Sequence, residues 1–142
     1  MTAPTRQDAM KQLLDGIATD LLAYDDLLTL LDGQFDAALR HQSTRLGEIA
    51  ARISTLVDAL EARRQERVAL ATQLLGPAAA MTQVFGLLKA EPRVRLEQDW
   101  RALERMVIEC KRLGKRNSDL LVEQYTIMQR VLHGEDCTYE PA

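Results

Sequence analysis

The sequence has little of several residue types that other fold classes need. Aromatic residues make up only 4% of its 142 residues, and it contains 7 glycines, 4 prolines and 2 cysteines. So few aromatics, glycines and prolines disfavour large aromatic cores, sandwiches and barrels, and Cys110 and Cys137 do not resemble a disulfide framework. Leu, Ala, Arg, Glu and Gln dominate instead, and these residues lose little on entering a helix. The composition predicts an all-α chain with a single domain over residues 1–142.

A targeting segment, a long apolar run and a basic excess are also missing. The N-terminus lacks a basic segment followed by an apolar one, and no stretch approaches the roughly 20 apolar residues that a membrane-spanning helix needs. The net charge of -3 provides no general attraction for nucleic acid, because neutralising phosphates requires excess Lys and Arg. We therefore predict a cytoplasmic protein with neither membrane insertion nor a nucleic-acid partner.

The sequence shows none of the common constellations of an enzyme. His41 and His133 are its only histidines, and neither follows a glutamate by three residues as in di-metal bundles. A phosphate-binding glycine loop, the H-E-x-x-H pattern and a nucleophile elbow are all missing. We predict no catalytic residue, cofactor or metal, and interpret the chain as a binding protein.

A first long helix is predicted over residues 5–41. Apolar residues alternate in steps of four and three over about four heptads, which is typical of a helix that packs along another helix. They are Met10, Leu14, Ile17, Leu21, Tyr24, Leu28, Leu31, Phe35 and Ala38.

A second helix is predicted over residues 43–75, with Ser43 preferred to Gln42 as its cap. Gly76 and the proline after it end the pattern. Arg63 and Arg67 interrupt the apolar seam. Either their aliphatic stems cover apolar surface while the guanidinium groups stay in water, or they form a site for an acidic partner.

A short amphipathic helix over residues 78–90 is predicted in the linker. Because a helix of about three turns is marginal alone, it must lie on one end of the bundle or on a partner. A third long helix follows over residues 92–133, with Gly134 as its end and residues 134–142 as a tail. We expect the three long helices to form an antiparallel bundle.

The apolar seam of the third helix is regular in its first half and interrupted in its second half. Gly114, Asn117 and Gln124 fall where apolar residues are expected. A buried amide costs about 1–3 kcal/mol unless it is hydrogen-bonded. Asn117 is therefore either a core residue that sets the register between helices or part of a site that meets another molecule.

The order of these features resembles the flagellar export chaperones of the FlgN type. That family has two long helices, a linker and a third helix with a Trp near its start. An Asn-x-x-Asn-Gly motif, two apolar residues and a tail Tyr follow. Trp100, Asn117, Leu120–Leu121 and Tyr139 correspond to the Trp, the second Asn, the apolar pair and the tail Tyr, and "DALEARRQERVAL" is similar to the end of the family's second helix.

Two positions depart from the family motif. Gly114 stands where the first Asn would be, and Ser118 replaces the Gly.

The resemblance implies a cytoplasmic, ATP-independent chaperone of hook–filament junction proteins. It would bind their disordered C-terminal segments and deliver them to the flagellar type III export gate, with Tyr139 contacting the gate's cytoplasmic domain. Spacing and resemblance together predict a cargo surface on the third helix made of Leu113, Asn117, Leu120, Leu121, Gln124, Ile127, Met128 and Val131. The alternative is a structural or adaptor bundle that self-associates as a coiled-coil homodimer.

Overall fold

The computed structural model describes the backbone of residues 5–139 and the side chains of residues 5–134. Its helices are α1 (Arg6–Leu39), α2 (Ser43–Leu75), α3 (Met81–Phe85) and α4 (Ala90–Tyr139). Residues 5–139 contain no strand, so the prediction of an all-α chain with long helices is confirmed. With 50 residues, α4 is about 75 Å long at 1.5 Å per residue.

Helix α1 lies between the other two long helices. It packs along both α2 and α4, whereas the backbones of α2 and α4 do not approach each other within the described part of the chain. Asn117 and Gln124 of α4 donate hydrogen bonds to the carbonyls of Leu31 and Ala38, respectively, so α1 and α4 run parallel to each other. Helices α2 and α4 contact each other only through side chains. One such contact is the Arg67 guanidinium, which lies 5.3 Å from the ring centre of Trp100.

Two apolar clusters hold the helices together. The end cluster contains Ala9, Leu13, Ile17, Leu70, Ala71, Leu74, Val84, Phe85 and Leu96. The middle cluster contains Ala23, Leu27, Leu31, Leu60, Cys110 and Leu113. Because each cluster draws on all three long helices, burial of apolar side chains stabilises their mutual packing.

The linker segment lies on the chain's own end cluster. Val84 and Phe85 are buried there. Of the two alternatives that the sequence left open, the segment therefore packs on one end of the bundle. Helix α3 is shorter than the 78–90 segment expected from the sequence. Ala78 adopts a left-handed φ of 59°, and the N–H groups of Leu87 and Leu88 bond carbonyls three residues back, as in tight turns.

The α1–α2 turn is capped differently from the sequence-based expectation. Ser43 is the first residue of α2, and Gln42 occupies the cap position without capping through its side chain. The Oε1 atom of Gln42 accepts instead from Arg45. Asp36 accepts hydrogen bonds from both Arg40 and Arg45 at this turn, and these guanidinium groups hold the pKa of its carboxyl below the usual value, Arg45 most strongly.

A buried carboxylate joins α1 to α2. The side chain of Asp20 is only 2% exposed and forms ion pairs with Arg63 and, at 2.7 Å, with Arg67. The two arginines that interrupt the α2 seam thus have an acidic partner within their own chain. Burial, followed by the charge of Asp20, raises the pKa of the neighbouring Tyr24 hydroxyl.

Candidate functional site

The first half of the predicted surface on α4 is covered by α1. Leu113 and Asn117 are buried. The Asn117 Nδ2 donates to the Leu31 carbonyl at 2.7 Å and to Gln34 Oε1 at 2.9 Å, and its Oδ1 accepts from Arg116. The amide is therefore satisfied within the protein, as a register-setting residue requires.

Arg116 closes one side of this contact. Its guanidinium carbon lies 3.9 Å from the ring centre of Phe35, and a guanidinium nitrogen pairs with Asp32 at 3.2 Å. A cation over an aromatic face at this distance is attractive. These contacts reinforce the pairing of α4 with the C-terminal part of α1.

The second half of the surface extends past the end of α1. Gln124 donates to the carbonyl of Ala38 at 3.0 Å, one residue before α1 ends at Leu39. Helix α4 continues through Gly134, which the sequence pattern predicted as its end, to Tyr139. We call residues 125–139 the α4 extension. At 1.5 Å per residue it is about 22 Å long.

The predicted residues therefore fall into three environments along one stripe. Leu113 and Asn117 are buried, the next three are half-buried, and the last three are exposed. The half-buried residues are Leu120, Leu121 and Gln124, and the exposed ones are Ile127, Met128 and Val131. The side chain of Tyr139 lies outside the residues whose side chains are described.

Three more apolar side chains belong to the exposed region. Val122, Tyr125 and Leu132 are all more than half exposed, and none was predicted from the sequence. They lie beside the heptad stripe rather than on it. Their spacing of three and seven residues was a usable signal, but the seam pattern alone does not select them.

A groove lies beside the exposed apolar residues. It has a volume of about 420 Å³ and is lined by Gln34, Gly114, Ser118, Leu121, Val122 and Tyr125. A Cβ atom added at Gly114 would meet no atom within 4 Å. The space beside this glycine is thus open rather than filled by the chain's own side chains.

Among the described residues, no group of three or more His, Cys, Asp or Glu is placed to hold a metal ion. None of the described helices is both long and apolar enough to cross a bilayer.

A protein-family model described as FlgN protein matches residues 9–133. The chain belongs to the FlgN family. This family implies a role as a flagellar export chaperone and the binding of flagellar substrate proteins. No curated protein and no solved structure matches the chain.

The FlgN match takes in all eight predicted cargo-surface residues but not Tyr139. It also covers the residues that line the groove. The long helices, the α1–α4 contact and most of the exposed apolar stripe therefore all lie within the FlgN-like part of the chain.

Proposed function

We propose that this protein is a cytoplasmic, ATP-independent chaperone of hook–filament junction proteins. It binds their disordered C-terminal segments, keeps them unassembled and delivers them to the flagellar type III export gate. Membership of the FlgN family supports the general role, and the surface of α4 supports the binding step.

The observation that carries the proposal is that the apolar stripe on α4 is covered by α1 over its first part and exposed over its last part. Up to Gln124 the stripe packs on α1, and beyond it Ile127, Met128 and Val131 are exposed. Six large apolar side chains between residues 122 and 132 are each more than half exposed. Such a patch on a soluble protein marks an interaction site.

A disordered cargo segment fits this surface physically. An amphipathic segment can fold onto an exposed apolar helix face, with anchors spaced by three and four residues. The ordering entropy that it loses on binding lowers its affinity. Moderate affinity suits a chaperone, because its cargo has to leave at the export gate.

The binding step is tested by calorimetric titration of the full chain with a synthetic peptide. The peptide carries the C-terminal segment of a junction protein from the same organism. The test variant combines Met128→Ser and Val131→Ser, whose side chains are 62% and 59% exposed. The matched control combines Leu22→Ser and Ile108→Ser, whose side chains are 73% and 67% exposed and lie elsewhere.

We expect the wild type to bind with one-to-one stoichiometry. The Met128/Val131 variant should bind at least about tenfold more weakly, because central apolar anchors dominate such interfaces. The control should bind like the wild type, and circular dichroism should show equal helicity throughout. Equal weakening in both variants, or no heat and no complex on a sizing column with wild type, would contradict the proposal.

Delivery to the gate is assigned to Tyr139 from the family resemblance. Tyr139→Ala should keep the peptide affinity of the wild type and lose binding to the cytoplasmic domain of the export gate in a pull-down. Loss of both activities, or of neither, would remove this role from Tyr139.

A further inference from the structure

A second groove lies between α1 and α2, outside the predicted cargo surface. It has a volume of about 610 Å³, and no described residue of α4 lines it. We propose that this groove is the interface of a weak, symmetric homodimer, in which Asp26 of each copy forms an ion pair with Arg52 of the other. The inference goes beyond the proposed chaperone function and does not depend on it. The lining residues are Asp26, Thr29, Leu30, Ala51, Arg52, Thr55, Leu56 and Ala59.

The uncharged part of the groove suits contact with another helix. Leu30 of α1 and Leu56 of α2 are half-buried and form an apolar floor. The hydroxyls of Thr29 and Thr55 donate to carbonyls one turn earlier in their own helices, at 3.3 and 3.2 Å. A second helix can therefore cover both threonines without leaving a buried donor unpaired. The alanines of the α2 wall are small, which lets the axis of that helix approach closely.

The charges of the groove select a second copy of the chain as its occupant. The lining contains one acid, Asp26, and one base, Arg52. Both are exposed, and neither forms an ion pair with another residue in the described part of the chain. A partner surface with charge of one sign would be attracted by one of them and repelled by the other. A second copy carries the same two charges and complements both, as a two-fold interface requires.

The register of α1 on α2 allows a two-fold axis to pair these charges. The two helices run antiparallel, and a Cβ added at Gly33 would lie 3.3 Å from the Ile49 side chain. Asp26 lies seven residues before Gly33, and Leu56 lies seven residues after Ile49, so Asp26 and Leu56 are level. A two-fold axis along the groove places α1 of one copy over α2 of the other. Asp26 then faces Leu56 of the second copy, one helical turn, or about 5.4 Å, from the level of its Arg52.

The length of the groove sets the strength of the dimer. From Ala51 to Ala59 the α2 wall is about 12 Å long at 1.5 Å per residue. Stable complexes bury about 1,200–2,000 Å² of surface in total, and smaller contacts are weak. We therefore expect a reversible dimer with a Kd of about 10–100 µM.

Charge reversal tests the interface. Asp26→Arg and Arg52→Asp each place like charges opposite each other in both halves of a symmetric contact. Sedimentation equilibrium between about 5 and 500 µM should show a monomer–dimer equilibrium for the wild type and a dimer at least about tenfold weaker for each variant. Because neither side chain is paired within the chain, circular dichroism and urea unfolding should be the same for all three proteins.

Mixing the two variants tests the two-fold pairing itself. In an equal mixture of Asp26→Arg and Arg52→Asp, every arginine at these positions faces an aspartate again. The mixture should form a heterodimer about as strong as the wild-type dimer, and the double variant Asp26→Arg/Arg52→Asp should form a homodimer. Arg101→Asp and Glu104→Arg, at exposed positions of α4, are the matched controls. They change the net charge by the same amounts and should dimerise like the wild type.

Three results would overturn the inference. The first is a wild type that is monomeric at every concentration, which would leave the groove to a different partner. The second is a dimer that persists in both charge-reversal variants. The third is a dimer that dissociates only in the Met128/Val131 variant, because the α4 extension would then be the interface. Failure of the wild type to bind the junction-protein peptide while the dimer forms as described would remove the chaperone proposal alone.

Discussion

Replacing Asp20 with asparagine removes the negative charge at the centre of the α1–α2 contact while preserving the size of the side chain. The carboxylate is 2% exposed, and its two arginine partners are 24% and 16% exposed. Asparagine would leave two cations facing a neutral amide, one end of which is itself a donor. Removing one member of a buried ion pair typically costs about 3–5 kcal/mol.

The expected loss for Asp20→Asn lies at the lower end of that range, about 3 kcal/mol, because both guanidinium groups can recover some hydration. A change of this size should lower the melting temperature by about 10 °C in a domain of this length. Urea unfolding followed by circular dichroism at several wavelengths would measure the change in free energy.

Asp36→Asn is the matched control, because Asp36 also accepts from two arginines but is 42% exposed. Its effect on unfolding should be much smaller, since exposed ion pairs contribute little to stability. If Asp20→Asn and Asp36→Asn lower the free energy of unfolding equally, burial of Asp20 does not determine its contribution. Replacing Asp20, Arg63 and Arg67 together with Leu, Met and Met should restore much of the loss, because no buried charge is left unpaired.

Three further predictions concern single side chains. Asn117→Ala should reduce the free energy of unfolding by about 1–3 kcal/mol, because the Gln34 oxygen loses its donor; a loss below that range in urea unfolding would contradict a register role. Phe85→Ala should cost about 3–5 kcal/mol if α3 is firmly seated on the end cluster, whereas an unchanged urea midpoint would show that it is not. In a Cys137→Ser background, native Cys110 should react with iodoacetamide at pH 8 far more slowly than in urea, because burial raises its pKa from 9.0 to about 11; equal rates would refute this. Its raised pKa also implies that its contribution to stability is complete below pH 9 and is lost as pH rises towards 11.

The sequence predicts the long helices well because heptad periodicity and helix stops are local signals. Gly76, with its φ of 94°, ends α2 where the pattern indicated. The prediction that the last long helix ends at Gly134 was wrong. A glycine in a helix lowers the stability of the helix but ends it only if its backbone angles leave the helical region.

The position of Asp20 could not be predicted from such local signals. A single aspartate in a helix gives no local signal that it is buried, and Arg63 and Arg67 are 43 and 47 residues away in the sequence. Only the packing of α1 on α2 brings the three together. The same limit applies to the predicted cargo surface, because periodicity identifies the stripe on α4 but not the point at which α1 stops covering it.

The polar residues within the α4 seam explain why the apolar extension stays exposed. Apolar heptads alone would allow α4 to slide along α1 by seven residues with similar contacts. Such a slide would cover Met128 and Val131 with the end of α1, but it would place Asn117 opposite Tyr24 at the middle cluster. There Leu27 would occupy the position of Gln34, so the amide would lose its side-chain acceptor, at a cost of about 1–3 kcal/mol.

The Asn117 amide therefore bears on both interpretations that the sequence left open, a core residue that sets the register and a site that meets another molecule. Asn117 is buried and satisfied within the protein, so its side chain does not itself present a surface to cargo. By fixing the register of α4 on α1, it determines which apolar residues lie beyond the end of α1. A variant that weakens this register should consequently reduce cargo binding without altering any exposed side chain.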